Sequence, residues 1–198
     1  MSRDQTSALR KERREEFQKY RDSICREFRR ICPSSEVESE WDSMRGEFGL
    51  YSPRLDIAVG PFATSYRFIE SYDRLMDGSQ HLIQSLIDIH STNVKNFDHE
   101  PYSLTFDQLR QKNSNSRCLL AIEIENRVSR KHLMGGAVNA SALGRIGILV
   151  AWSPEKLKAA IKLRRYLEFL AMVGKNTFDT TNLLILSKEQ LLDAVTRA

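Results

Sequence analysis

At 198 residues the chain is long enough to bury one full-sized core and short for two domains. Its 28% charged and 41% hydrophobic residues are those of a soluble globular protein, and no apolar run approaches the roughly 20 residues needed to cross a bilayer, so no membrane partner is expected. A net charge of +4 and a pI near 9.0 permit nucleic acid as a partner without demanding it.

The opening Met1-Ser2-Arg3-Asp4-Gln5-Thr6 lacks the apolar core of a secretory signal, which makes the cytoplasm the expected compartment. Residues 1–12 read as a flexible lead ahead of a single domain over 13–198. A helix is predicted over 13–31, because Phe17, Tyr20, Ile24, Phe28 and Ile31 recur at helical spacing. Its other faces carry Arg13, Arg14, Lys19, Arg21, Arg26, Arg29 and Arg30, laced with Glu15, Glu16 and Glu27. That stripe reads either as a solvated face or as a contact for a phosphate backbone. Pro33-Ser34-Ser35 ends it.

Ser35 to Met44 reads as a short acidic helix with Trp41 on its inner face. Glu47-Phe48-Gly49-Leu50-Tyr51 reads as a strand that Ser52-Pro53-Arg54 turns into a second, Leu55 to Gly60, antiparallel to it. A helical insertion is expected over about 63–116, with pieces at 64–76 and 79–90, the latter built on Leu82, Ile83, Leu86 and Ile89. Thr105-Phe106-Asp107-Gln108 has the form of a capping box. His81, His90 and His99 lack metal-ligand spacing and read as surface or core histidines. Cys25, Cys32 and Cys118 fit neither a disulfide framework nor a zinc site; Cys118 is expected as a packed thiol on the Leu120 face of its strand.

Arg117 to Asn126 reads as a strand rich in aliphatic and β-branched residues. A helix over 130–143 follows, capped by Ser129 and closed by Gly144 as its C′ glycine. Gly135 and Gly136 inside it cost about 1 kcal/mol each, which points to close packing on the sheet or on a substrate, or to a broken helix. Ile146 to Trp152 is apolar enough to be buried on both faces, and a right-handed crossover makes it parallel to the preceding strand. Ser153-Pro154-Glu155 starts a helix that runs to about Val173, where Gly174 stops it. Asn182 to Leu186 is a last strand and Lys188 to Arg197 a last helix.

Two of these strands carry acids. Alternation puts Leu120, Ile122 and Ile124 on one face of the third strand and Ala121, Glu123 and Glu125 on the other. Leu55, Ile57 and Val59 likewise oppose Asp56, Ala58 and Gly60. Apart from the acids each polar face holds only small residues, leaving room for a metal and a substrate; the plainer reading is one solvated face per strand. Hard carboxylate oxygens suit Mg²⁺ or Mn²⁺, with Asp56, Glu123 and the Ile124 carbonyl as the protein's ligands. Glu125 or Lys131 would orient or deprotonate a water, and Arg127, Arg130, Lys131 and His132 would hold phosphates, unless they are an ordinary charged helix start.

Helix, strand pair, E-x-E strand, helix and buried strand is an order that resembles the core of the PD-(D/E)XK nuclease superfamily. The resemblance implies a restriction-endonuclease-like, three-layer α/β/α fold around a mixed sheet. Position by position, Asp56 matches the family's first acid and Glu123 its second, while the family's lysine falls on Glu125; Pro53 stands three residues before Asp56 rather than next to it. Lys131 is the candidate for a relocated lysine. What this implies is a Mg²⁺-dependent nuclease of restriction or repair type hydrolysing DNA, with a homodimer as a natural setting. The alternative is a catalytically silent binding or regulatory module on the same fold.

Overall fold

In the computed structural model, which describes residues 3–43, 52–63, 69–98, 103–126, 130–175 and 179–198, five strands lie side by side in chain order. They are β1 (Val37–Asp42), β2 (Arg54–Val59), β3 (Cys118–Glu125), β4 (Gly144–Ala151) and β5 (Leu183–Ser187). β1, β2 and β3 pair antiparallel, whereas β3, β4 and β5 pair parallel, so the expected mixed sheet of an α/β protein is present. The helices are α1 (Arg3–Ile31), α2 (Ile69–Gly78), α3 (Gln80–Asp98), α4 (Phe106–Arg110), α5 (Arg130–Leu143), α6 (Pro154–Met172) and α7 (Lys188–Arg197).

The register aligns Ile57, Ile122, Ile148 and Leu184 in one row across four strands. With Val59, Leu120, Ile146 and Leu186 they form a large aliphatic face, covered by Ile24 and Phe28 of α1 and by Leu191 and Val195 of α7. The opposite face is made of smaller groups, among them Ala58, Ala121 and Ala151, and packs on Ala137 and Ala140 of α5 and Leu157 and Ile161 of α6. Two strand starts break the simple alternation: Leu55 and Cys118 are buried, but in this second cluster rather than with Ile57 and Leu120.

Small residues let α5 lie close on the sheet. A Cβ on Gly147 would sit 2.8 Å from the Ala140 carbonyl carbon, and one on Gly144 would sit 2.8 Å from the Ala121 nitrogen. Gly144 is therefore the first residue of β4, not a C′ cap; its need for a bare backbone comes from packing rather than from a left-handed turn.

Other expectations are corrected as well. Ser35 to Met44 holds β1, not a helix, and β1 is the antiparallel partner of β2; Glu47 to Tyr51 lies outside the described residues. Val37 and Trp41 are the two buried residues of β1, and a separation of four fits a helical turn and a strand face equally well. The expected flexible lead is helical from Arg3, because α1 continues N-terminally through residues free of Gly and Pro. Residues 7–9 and 11–16 are exposed, so no apolar stripe announced this part of the helix.

The helices between β2 and β3 also do more than fill an insertion. α3 runs along the outer edge of β5, contributing Leu82, Ile83, Leu86 and Ile87 to one cluster and Val94 to the other. The Ile185 N–H donates to His90 Nδ1 (3.0 Å) and Asn93 Nδ2 donates to the Ile185 carbonyl (3.0 Å), so the edge strand's outward backbone groups are satisfied by side chains. His90 is a core histidine; His99 lies outside the described residues.

Burial, reinforced by the nearby Arg164 charge, pushes the His90 pKa from 6.5 down to about 3. The bond from Ile185 likewise requires an unprotonated Nδ1. The stability this contributes is fully present above the unfolded-state value of 6.5 and is lost as pH falls toward about 3. Denaturant unfolding at pH 7 and pH 5 should show wild type losing on the order of 1 kcal/mol more than His90→Gln over that interval; equal losses would rule out a neutral buried imidazole.

Candidate active site

The register that sets Ala58 opposite Ala121 and Ile57 opposite Ile122, carried one residue further, faces Asp56 with Glu123. The two carboxyl groups are hydrogen-bonded to each other. Asp56 Oδ2 also accepts the Ile124 backbone N–H at 2.7 Å, and Asn139 Nδ2 of α5 donates to Glu123 Oε1 at 3.4 Å.

Burial is the main cause that raises the pKa of both acids. Glu123 is pushed up to about 9, with the Asp56 charge as the next cause. For Asp56 the Ile124 N–H and the Arg21 charge work against that rise. The proton of the pair therefore resides on Glu123, whose O–H donates to the Asp56 carboxylate.

Glu125, two residues on, is 8% exposed and stands 3.8 Å from Lys156 Nζ, in the first turn of α6. The strand position where a lysine was the expectation from resemblance thus holds a glutamate, and a lysine reaches it from a different element. Lys131 is exposed on the far wall.

These groups form the floor of a cavity of about 820 Å³. One wall is α1, with Arg13, Arg14, Phe17, Gln18 and Arg21; β1 and β2 add Glu40 and Arg54; the other wall is α5, with Lys131, His132, Gly135, Gly136 and Asn139. Gly136 lies against the Glu123 stem, where a Cβ would meet Glu123 Cβ at 3.4 Å, while a Cβ on Gly135 would meet nothing within 4 Å. Gly136 thus packs on the sheet, one of the readings given for this pair, and Gly135 lines the cavity.

Of the residues singled out from sequence, Asp56, Glu123, Ile124, Glu125, Lys131 and His132 line this one cavity. Arg127 and the Arg130 side chain lie outside the described parts of the chain. Arg13, Arg14 and Arg21 were read only within the basic stripe, as a solvated face or a phosphate-backbone contact, and Arg54 was given no role, yet all four line the cavity. For α1 the signal was available in its basic stripe, but nothing in a single sequence says which side of a helix meets a cavity. No protein-family model, no curated protein and no solved structure matches this chain. What the site can do follows from its own side chains.

Among the described residues no three His, Cys, Asp or Glu side chains form a ready-made metal cage. Two carboxyl groups side by side offer hard oxygens that could hold a divalent cation, which would keep several of its waters. Asp56 and Glu123 are such a pair.

The raised Glu123 acid contributes stability that is fully present below 4.5 and is lost as pH rises through about 9. Gln at this position keeps a donor toward Asp56 and cannot ionise. In chelator, Glu123→Gln should exceed wild type at pH 8 by on the order of 1 kcal/mol and match it at pH 4. A variant no more stable than wild type at pH 8 would mean that the pair is not a strained site.

Proposed function

We propose that this chain is a metal-dependent phosphodiesterase that hydrolyses nucleic acid, DNA in the first instance, on a restriction-endonuclease-like frame. One observation carries the reading: two hydrogen-bonded, half-buried carboxyls on adjacent strands form the floor of an arginine-lined cavity. The order of α1, the β1–β2 pair, acid-bearing β3, α5 and parallel β4 supports it, since that order resembles the PD-(D/E)XK core.

Asp56 and Glu123 would supply hard oxygen ligands, with the Ile124 carbonyl as the third candidate. When bound, Mg²⁺ or Mn²⁺ lowers the pKa of a coordinated water and offsets charge on the phosphate. Glu123 must give up its proton to act as a ligand, so metal affinity should rise with pH. Glu125, paired with Lys156, would accept a proton from the attacking water. The water oxygen bonds to phosphorus, the bond to the leaving sugar oxygen breaks, and that oxygen is protonated from solvent or from Lys131. Arg13, Arg14 and Arg54 along one wall and His132 on the other suit contacts to flanking phosphates, which position a nucleic acid without reading its sequence.

The Glu125–Lys156 pair also favours a second reading, a silent binding module, because it leaves two acids rather than three for a cation. Thermal melting under Mg²⁺ or Mn²⁺ titration separates the two. An intact site should raise the wild-type midpoint by several degrees at saturating metal, and Asp56→Ala should not respond. Plasmid, linear duplex, single strands and RNA incubated in Mn²⁺ would identify the substrate, and Glu123→Ala should reduce any cutting below detection. No shift in wild type, or the same shift in Asp56→Ala, would assign the chain to the silent class.

A further inference from the structure

Arg21 is not placed as a solvent-facing helix charge. It is 7% exposed, yet it lines the same cavity as Asp56 and Glu123. A guanidinium is costly to bury unless its donors find acceptors. Two side chains hold it. Nη1 donates to Glu40 of β1 in a close ion pair, and Nη2 donates to Gln18, one turn earlier on α1. The guanidinium carbon lies 5.8 Å from the centre of the Phe17 ring.

Glu40 reaches Arg21 from a backbone with φ 52°, in the left-handed region that a residue with a Cβ avoids. A strand that adopts such a kink at the mouth of a cavity is a structural observation from which function can be inferred. The kink also has a visible result, since it joins an otherwise exposed carboxylate to a buried cation on a neighbouring helix.

Of the five N–H donors a guanidinium carries, Glu40 and Gln18 take one each, and Nε–H has no acceptor in the protein. The cation is thus fixed in place with donors left over, above a floor of acids that would hold a dication. A ligand that satisfies both must present oxygens to a metal on one side and to a guanidinium on the other. A tetrahedral phosphate does this, and arginine matches its geometry with parallel N–H bonds.

We infer that Arg21 is the phosphate-binding residue of this cavity, taking non-bridging oxygens of the phosphodiester that lies over Asp56 and Glu123, with Glu40 and Gln18 as the residues that position it. The identity of the ligand rests on the nuclease reading; the presence of an anion site does not.

Inorganic phosphate is the probe, titrated calorimetrically into the full chain with and without Mn²⁺. Wild type should bind it, Arg21→Gln should lose it, and Arg21→Lys should bind at least about 10-fold more weakly, because an ammonium keeps the charge and not the fork. Arg26→Gln, an exposed change on the same helix, should leave the affinity unaltered. Should Arg21→Gln fail to fold, Arg21→Lys decides. Wild type that does not bind phosphate, or an Arg21→Lys variant that binds it equally well, overturns the inference. Phosphate binding that depends on Arg21 without any Mn²⁺-induced melting shift would leave the anion site standing and remove the nuclease reading; a melting shift with phosphate binding indifferent to Arg21 would do the reverse.

Discussion

Two half-buried carboxyl groups face each other across β2 and β3, and most of what is unusual in this molecule follows from that. Two unit charges about 4 Å apart repel by about 4 kcal/mol at an effective dielectric constant near 20. A hydrogen bond to a charged group returns roughly 1.5–3 kcal/mol. Burial raises the pKa of both acids further, and the Ile124 N–H on Asp56 with the long Asn139 contact to Glu123 does not outweigh burial and repulsion together, so the pair keeps a proton. Folding tolerates the arrangement without favouring it. A site that a cation would relieve is the kind that selection for stability alone would remove.

The sheet is correspondingly asymmetric. Its large face, with Ile57, Ile122, Ile148 and Leu184 in register, supplies the burial that keeps the chain folded. Its small face, with Ala58 and Ala121 beside the acids, lets α5 approach closely and leaves a cavity at the end of β3. Gly147 is part of the same device, because a side chain there would run into the α5 backbone at Ala140 and Ser141 and lift the helix, while Gly144 makes room for Ala121 of the neighbouring strand. Stability and chemistry thus occupy opposite sides of one layer, and the E-x-E strand takes part in both through its alternating side chains.

Much of this could be read from the residues before any coordinates. Period-two alternation in β2 and β3 placed Asp56 and Glu123 on a shared face, and the cap and proline at Ser153-Pro154 fixed the start of α6. β1 could not be distinguished from a helix, because its buried residues are spaced by four and its acids suit either form. The start of α1 was hidden because an exposed helix end has no periodic apolar signal. Arg21 was lost among seven basic residues on one predicted helix; only tertiary packing against β1 separates it from its neighbours. Leu55 and Cys118 show a related limit, since alternation predicts a face only where the strand is regular.

Charge around the cavity links these parts. Five arginine or lysine side chains line it against four acids, and the proton on Glu123 lowers the acidic count to three. The pocket therefore has a positive wall over a partly neutralised floor, a charge arrangement that would favour an anionic ligand. Exchange of that proton for a divalent cation adds one further positive charge at the floor, so metal and anion should bind with positive coupling, each raising the other's affinity by the same factor. A strand lysine in place of Glu125 would supply its charge whether or not metal is present. Glu125 with Lys156 contributes no net charge, so on the proposed reading a bound metal would strengthen the attraction for phosphate where a strand lysine is absent.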